Sequence, residues 1–163
     1  MNVLAIDLDQ TLLHTDKTVS AYTQAIFRRL KTETDHKVIV ATGRAVMRAQ
    51  EYMNAIEADG IISLNGAKTI YHDQILSEYG VEADKAEQLI RKLLTLPDTH
   101  VNVTYPDVIL TNNRSLVTGD HVHEYTDYTT IDTFEIAKIS IVTQHPELIR
   151  QFDLETYHCK LVD

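Results

Sequence analysis

Asp7-Leu8-Asp9, with Gln10 and Thr11 behind it, places two carboxylates two residues apart directly after the apolar run Val3-Leu4-Ala5-Ile6. If the extended path persists through Asp9, both carboxyl groups project to one side and Leu8 to the other, because side chains alternate along a strand. Carboxylates that close repel each other. A hard divalent cation bound through oxygen relieves the repulsion, and Mg²⁺ is the expected ion. A second group stands at Ala41-Thr42-Gly43-Arg44, at the end of the strand-like run Lys37-Val38-Ile39-Val40-Ala41. A hydroxyl and backbone N–H groups at a strand-to-helix turn make an anion site suited to phosphate, and Gly43 permits close approach. With Asp7 aimed at the same point, the parts are a carboxylate nucleophile, a cation and a phosphate cradle.

These groups need elements to hold them. Val3 to Ile6 reads as a strand buried on both faces of a parallel sheet. Ser20 can cap a helix with Tyr22, Ala25, Ile26 and Leu30 on its apolar stripe. Lys37 to Ala41 is a second strand, Ala45 to Ile56 a second helix with Val46, Met53 and Ile56 inward, and Gly60 to Leu64 a third strand. Strands alternating with helices imply βαβ units, an α/β fold with a parallel sheet, and ligands in such sheets bind beyond the carboxyl ends of the strands.

From Asn65 the pattern changes. Short strands at Thr69 to Tyr71 and Gln74 to Tyr79 flank His72-Asp73, and Ala83 to Leu96 is amphipathic, with Ala86, Leu89, Ile90, Leu93 and Leu94 inward. Strands are expected at Val101 to Tyr105, Val108 to Thr111, Ala137 to Thr143 and Tyr157 to Val162, with a helix from Pro146 to about Phe152. This half reads as α+β with an antiparallel sheet. Residues 112–136 carry the weakest pattern. His121-x-His123-Glu124 reads as a solvated loop rather than a metal cluster, and Tyr125 and Tyr128 as strand packing rather than pocket lining.

Composition narrows the function classes. In 163 residues, 44% are hydrophobic and 24% charged, the balance of an ordinary globular chain. A net charge of −9 argues against a nucleic-acid or anionic-membrane surface. The charge is uneven: residues 1–50 sum to +2 and the remainder to −11, which points to two regions. The lone Cys159 forms no intrachain disulfide, the first residues lack a basic signal-peptide start, and no stretch approaches the ~18 apolar residues of a membrane span. The expected setting is the cytoplasm.

The chain resembles the haloacid dehalogenase-like phosphatase superfamily. Ile6-Asp7-Leu8-Asp9-Gln10-Thr11-Leu12-Leu13 matches its first motif, and Ala41-Thr42-Gly43-Arg44 looks like the second motif of the Cof-type branch. Ser63-Leu64-Asn65-Gly66-Ala67 is similar to the Asn-Gly-Ala segment after the third strand, where that branch inserts an α/β cap of the IIB-like type. The resemblance implies a Rossmann-like parallel-sheet core over residues 1–66 and an inserted α+β cap over 67–163. It implies Mg²⁺-dependent hydrolysis of a small phosphorylated metabolite, a sugar phosphate or nucleotide, through an aspartyl-phosphate.

Carried over residue by residue, Asp7 is the nucleophile and a Mg²⁺ ligand. Asp9 is the proton carrier, and its backbone carbonyl is a second Mg²⁺ ligand. Thr42 and Gly43 hold the phosphoryl oxygens, Arg44 and Asn65 lie near the substrate, and Thr11 supports the loop. Gln10 departs from the family's usual Gly. The family's third motif, a Lys, and its fourth, an acidic pair, follow the cap; Lys160 and Asp163 are not assigned those roles. The chain therefore reads as a truncated or degenerate member, inactive alone. Its first strand is expected at an exposed edge, open to a homodimer or a complementary fragment. The alternatives are a non-catalytic remnant serving as a phosphate-binding or interaction module, and a signalling domain whose Asp accepts phosphate. The second is disfavoured because Thr42-Gly43-Arg44 and the cap-like insert have no role there.

Overall fold

The computed structural model describes residues 2–127, 131 and 136–157. The chain divides into two units, Met1–Tyr79 and Gly80–Asp163.

The first unit runs β1 (Asn2–Ile6), α1 (Ala21–Glu33), β2 (His36–Ala41), α2 (Gln50–Ala55), β3 (Gly60–Ser63), β4 (Lys68–Tyr71) and β5 (Gln74–Glu78). Its sheet has the order β1-β2-β3-β4-β5, parallel over the first three strands and antiparallel over the last three. The α/β core expected from the sequence is present, but its boundary moves. The hairpin placed in the second region pairs with β3 instead, Gly60 opposite Tyr71 and Ser63 opposite Lys68, so the first unit ends at Tyr79 rather than residue 66. Gly60 makes this pairing feasible, because a Cβ there would stand 2.5 Å from the Ile70 carbonyl oxygen. His72 and Asp73 close the hairpin with φ of 45° and 62°, the left-handed geometry that matches strand twist in a two-residue turn.

The core of this unit is Leu8, Leu12, Leu13, Phe27, Val38, Val40, Ala49, Tyr52, Ile56 and Ile61. β2 lies between two strands, and its Val38 and Val40 are fully buried. β1 is different: among the described residues it pairs with β2 alone, and Val3 is 57% and Leu4 37% exposed. The reading of β1 as buried on both faces is corrected, since a strand with one neighbour leaves an open flank. Ser20 begins α1 as expected, its hydroxyl accepting the Thr23 N–H at 3.0 Å. Of the expected stripe Leu30 faces the core, whereas Tyr22, Ala25 and Ile26 are exposed and Phe27 is buried in their place. The second helix is shorter than expected, a 3₁₀ turn at Val46–Arg48 followed by α2, with Tyr52 as its buried anchor.

Asp59 ties the far end of the sheet. Its Oδ2 accepts the Val38 N–H at 2.7 Å, its Oδ1 accepts from Lys31 Nζ at 3.0 Å, and its main chain exchanges bonds with Val38 and His72. Burial pushes the carboxyl pKa up, but the Val38 amide and Lys31 outweigh it and hold the group below its usual value. A carboxyl depressed in the folded state stabilises it fully above the unfolded pKa of ~3.9, and that contribution is lost as pH falls through the folded value. Asp59→Ala, which leaves the Val38 N–H buried and unpaired, is expected to cost about 1–3 kcal/mol at neutral pH and less in acid. Urea unfolding at pH 7 and pH 3 checks this; an equal loss at both would assign the effect to packing.

The second unit contains α3 (Ala83–Leu93), β6 (Thr99–Thr104), β7 (Ile109–Thr111), β8 (Val122–Glu124), β9 (Lys138–Thr143) and α4 (Pro146–Ile149). Its sheet has the order β8-β7-β6-β9. β6 pairs antiparallel with β7 and β9, as expected, whereas β8 pairs parallel with β7 and had no sequence signal. Ala86, Leu89, Ile90 and Leu93 of α3 pack on Val101, Val103 and Tyr105, and the Tyr125 hydroxyl donates to the Val101 carbonyl at 3.1 Å. α4 stops at Ile149, short of Phe152. Tyr157 closes a 3₁₀ turn from Leu154 rather than opening a strand. The rest of that expected strand, with Cys159, Lys160 and Asp163, lies outside the described residues, as does Tyr128.

Candidate active site

β1 ends at Ile6, and Asp7 continues it with φ −80° and ψ 153°. The chain then folds into one tight turn in which the Leu12 N–H bonds the Asp7 carbonyl at 3.2 Å and the Leu13 N–H bonds Leu8 at 2.9 Å. Leu8, Leu12 and Leu13 are buried and pin the loop, so Asp7 and Asp9 turn outward, Asp7 exposed and Asp9 half-buried. The Thr11 hydroxyl lies 3.4 Å from Asp7 Oδ2, at the long end of a hydrogen bond. Gln10 has φ 61°, a left-handed conformation in which a Cβ is strained. That is a physical reason for glycine at this place. Gln10→Gly relieves the strain but adds unfolded-chain entropy, so a net gain of roughly 0.5 kcal/mol is expected. A urea midpoint that falls would mean that the Gln10 side chain makes a contact worth more than the strain.

Thr42 follows β2. Its N–H bonds the Ile62 carbonyl at 2.9 Å, and its carbonyl accepts the Asn65 N–H at 3.2 Å, which locks this turn to the one after β3. A Cβ on Gly43 would stand 2.5 Å from Asn65 Oδ1, so glycine here leaves room for the Asn65 side chain where it lies. Asn65 itself is left-handed, φ 58°, as is Gly66, φ 98°. The result is an open cavity of about 280 Å³ lined by Asp7, Ala41, Thr42, Gly43, Ile62, Asn65 and Gly66. Asp7, Thr42, Gly43 and Asn65, chosen from the sequence, meet here.

Arg44 does not line that cavity. Its Nε donates to Asp9 Oδ2 at 2.8 Å and its Nη2 to Asp9 Oδ1 at 2.7 Å, a two-point clasp on the carboxylate. The Arg44 side chain is only 18% exposed, and its guanidinium lies over the Tyr52 ring at 5.1 Å and donates to the Arg48 carbonyl at 3.4 Å. Lys17 Nζ adds a third bond to Asp9 Oδ1 at 2.8 Å. The Arg44 hydrogen bonds, aided by Lys17 and opposed by burial, hold the Asp9 carboxyl far below the usual carboxylate range, and the bond to Asp9 raises Arg44 in return. Carboxylate repulsion at this site is thus relieved by two side-chain cations.

Lys17 and Tyr52 were not singled out by sequence reasoning. Lys17 sits at φ 63° in a turn closed by the His14 N–H on the Thr18 carbonyl at 3.0 Å and stapled by Asp16, whose Oδ1 accepts from the Thr18 N–H and hydroxyl. The Asp16–Thr18 turn pattern was the readable signal; its direction was not. Among the described residues no three His, Cys, Asp or Glu side chains converge as a metal cluster. The donor chemistry that fits a hard cation is the Asp7 carboxylate and the Asp9 main-chain carbonyl, both oxygen. The Asp9 side chain is committed to Arg44 and Lys17.

A family model described as haloacid dehalogenase-like hydrolase matches residues 4–159. The chain belongs to this family. A 5-amino-6-(5-phospho-D-ribitylamino)uracil phosphatase, YitU, of Bacillus subtilis (strain 168) is 38% identical over 73 residues, 44% of this chain and 26% of that protein. Among solved structures, a haloacid dehalogenase-like hydrolase from Bacteroides thetaiotaomicron superposes with a TM-score of 0.77 at 20% identity, covering 91% of this chain and 60% of that one. A subclass IIB sugar phosphatase superposes with a TM-score of 0.75 at 13% identity, covering 97% of this chain and 64% of that one. The chain thus spans about a quarter of the curated relative and about three fifths of the solved ones. Among the described residues, no helix is long and apolar enough to cross a membrane.

Proposed function

We propose that this chain carries the nucleophile and the phosphate cradle of a Mg²⁺-dependent phosphatase acting on a small phosphorylated metabolite, a sugar phosphate or nucleotide, in the cytoplasm. In this reading Met1–Tyr79 is part of the catalytic core and Gly80–Asp163 belongs to a cap. The observation that carries it is the cavity in which the Asp7 carboxylate meets Thr42, Gly43 and Asn65. The Thr42 hydroxyl accepts the Arg44 N–H at 3.2 Å, which leaves its own proton to donate to a phosphoryl oxygen. The Asn65 side-chain amide can donate to another.

An Asp7 oxygen attacks phosphorus as the bond to the alcohol oxygen breaks, and that oxygen takes a proton from Asp9. Water then attacks the phosphorus of the aspartyl-phosphate, gives its proton to Asp9, and the Asp7 carboxylate departs. Asp7 and the Asp9 carbonyl would hold Mg²⁺, which supplies charge neutralisation to the transferring group. For Asp9 to carry a proton, Arg44 and Lys17 must yield it once the ester is bound. That requirement also favours a second reading, a phosphate-binding module without turnover, because Asp9 in the described state is held ionised.

Mg²⁺-dependent hydrolysis of an aryl phosphate, measured beside inorganic phosphate binding on the same preparation, separates the two. Hydrolysis that chelation stops supports the phosphatase; phosphate binding without hydrolysis supports the module; absence of both defeats each. The exposed β1 is proposed as a pairing edge for a second copy or a complementary segment.

A further inference from the structure

We propose that Lys17 is a specificity residue for the leaving group, and that it selects phosphate esters whose alcohol part carries a second negative charge, a carboxylate or another phosphate. The proposal rests on the role given to Asp9 above. If Asp9 serves the ester oxygen, whatever is bonded to Asp9 borders the alcohol part of the substrate. Two cations are bonded to it, and they differ.

Arg44 is committed. Both of its donors to Asp9 are engaged at 2.8 and 2.7 Å, its ring partner Tyr52 is buried, and its side chain is 18% exposed. Lys17 is placed but accessible. Its side chain is 56% exposed, its one described bond uses a single donor of an ammonium that has three, and its position is set by a short turn with its own side-chain staple. The turn holds the backbone of Lys17, so an ammonium that yields Asp9 when the ester binds is still placed to accept a further anion on the alcohol part. Asp7, Asp9, Arg44 and Lys17 sum to zero formal charge, so a second negative charge on the ligand meets no net repulsive field from these four. The positive φ of Lys17 is a cost for a residue with a Cβ, and the bond to Asp9 is what the turn delivers for it.

The test titrates the 163-residue chain, with Mg²⁺ present, first with inorganic phosphate and then with ethyl phosphate and phosphoglycolate, which differ by a carboxylate on the alcohol. The expected result is binding of inorganic phosphate and a preference for phosphoglycolate over ethyl phosphate of roughly fivefold, the scale of an exposed ion pair. Lys17→Met should bring that preference to about one, and Lys17→Arg should retain most of it. A preference near one in the parent chain, or one that survives Lys17→Met, overturns the role of Lys17 while leaving the phosphate site intact. No binding of inorganic phosphate by the parent chain overturns the phosphate site itself, and the leaving-group role with it. Equal loss of affinity for all three ligands in Lys17→Met, with the preference unchanged, would make Lys17 a support of the loop and not a selector.

Discussion

Asp7→Asn is expected to abolish phosphate-ester hydrolysis at this site, a fall of roughly 10⁴-fold or more, because it removes the only carboxylate lining the cavity among the described residues. The amide has nearly the same shape, and Asp7 is exposed with a single long contact to Thr11, so the fold should not suffer. Asp9→Asn should cost less, on the order of 10²–10⁴-fold, the usual worth of a positioned proton carrier. It should also release Arg44 and Lys17 from their shared anion. The ordering is the informative part. Steady-state hydrolysis of an aryl phosphate at saturating Mg²⁺, beside far-ultraviolet circular dichroism of each variant, measures it. Retained turnover in a folded Asp7→Asn protein would remove Asp7 as nucleophile.

Hydrogen exchange should separate β1 from β2 by several orders of magnitude. Val38 and Val40 are fully buried in a strand bonded on both sides, so their amides should open only with the whole unit, at a protection set by a global stability of ~5–15 kcal/mol. β1 pairs on one side only among the described residues, and its Val3 and Leu4 are exposed, so its outward N–H groups have no described partner to protect them. An apolar strand with such an edge is a template for another strand. At low concentration, amides 3–6 should exchange much faster than 38–40, and raising the concentration should slow them if copies pair through β1. Slow exchange of residues 3–6 in a verified monomer would mean that something within the chain covers the strand, and the edge would then not be open.

Much of the site was legible because its logic is local. Asp7 and Asp9 stand clear of the core because the turn after β1 is pinned by Leu8, Leu12 and Leu13, all within a few residues of them. Gly43 was readable as a point of close approach, and the atom it makes room for proves to be Asn65 Oδ1. Asn65 and Gly66 were marked by the resemblance to the Asn-Gly-Ala segment, and their left-handed backbone came only with the structure. Gln10 was marked as an oddity, and its φ of 61° supplies the reason.

What could not be read depends on which surfaces meet. The amphipathic stripe of α1 was read as Tyr22, Ala25, Ile26 and Leu30; Leu30 does pack on the core, but a helix turns inward whichever apolar residues best fill the space beside it, and Phe27 is the one that is buried while the other three are exposed. The hairpin of β4 and β5 was read correctly as two strands and assigned to the wrong region, because strand pattern says nothing about which edge a hairpin joins; the missing Cβ of Gly60 and the open flank of β3 decided it. β8 pairs in parallel with β7 over three residues, too short to leave a periodic signal. The sequence by itself determined the chemistry available, two carboxylates after one strand and a hydroxyl-and-glycine turn after the next, because those follow from residue type and short-range backbone geometry. The state of that chemistry was decided by the tertiary structure: Arg44 reaches Asp9 across 35 positions and Lys17 folds back on it through a turn, and an ion pair depends on distances in space that no spacing in the chain contains.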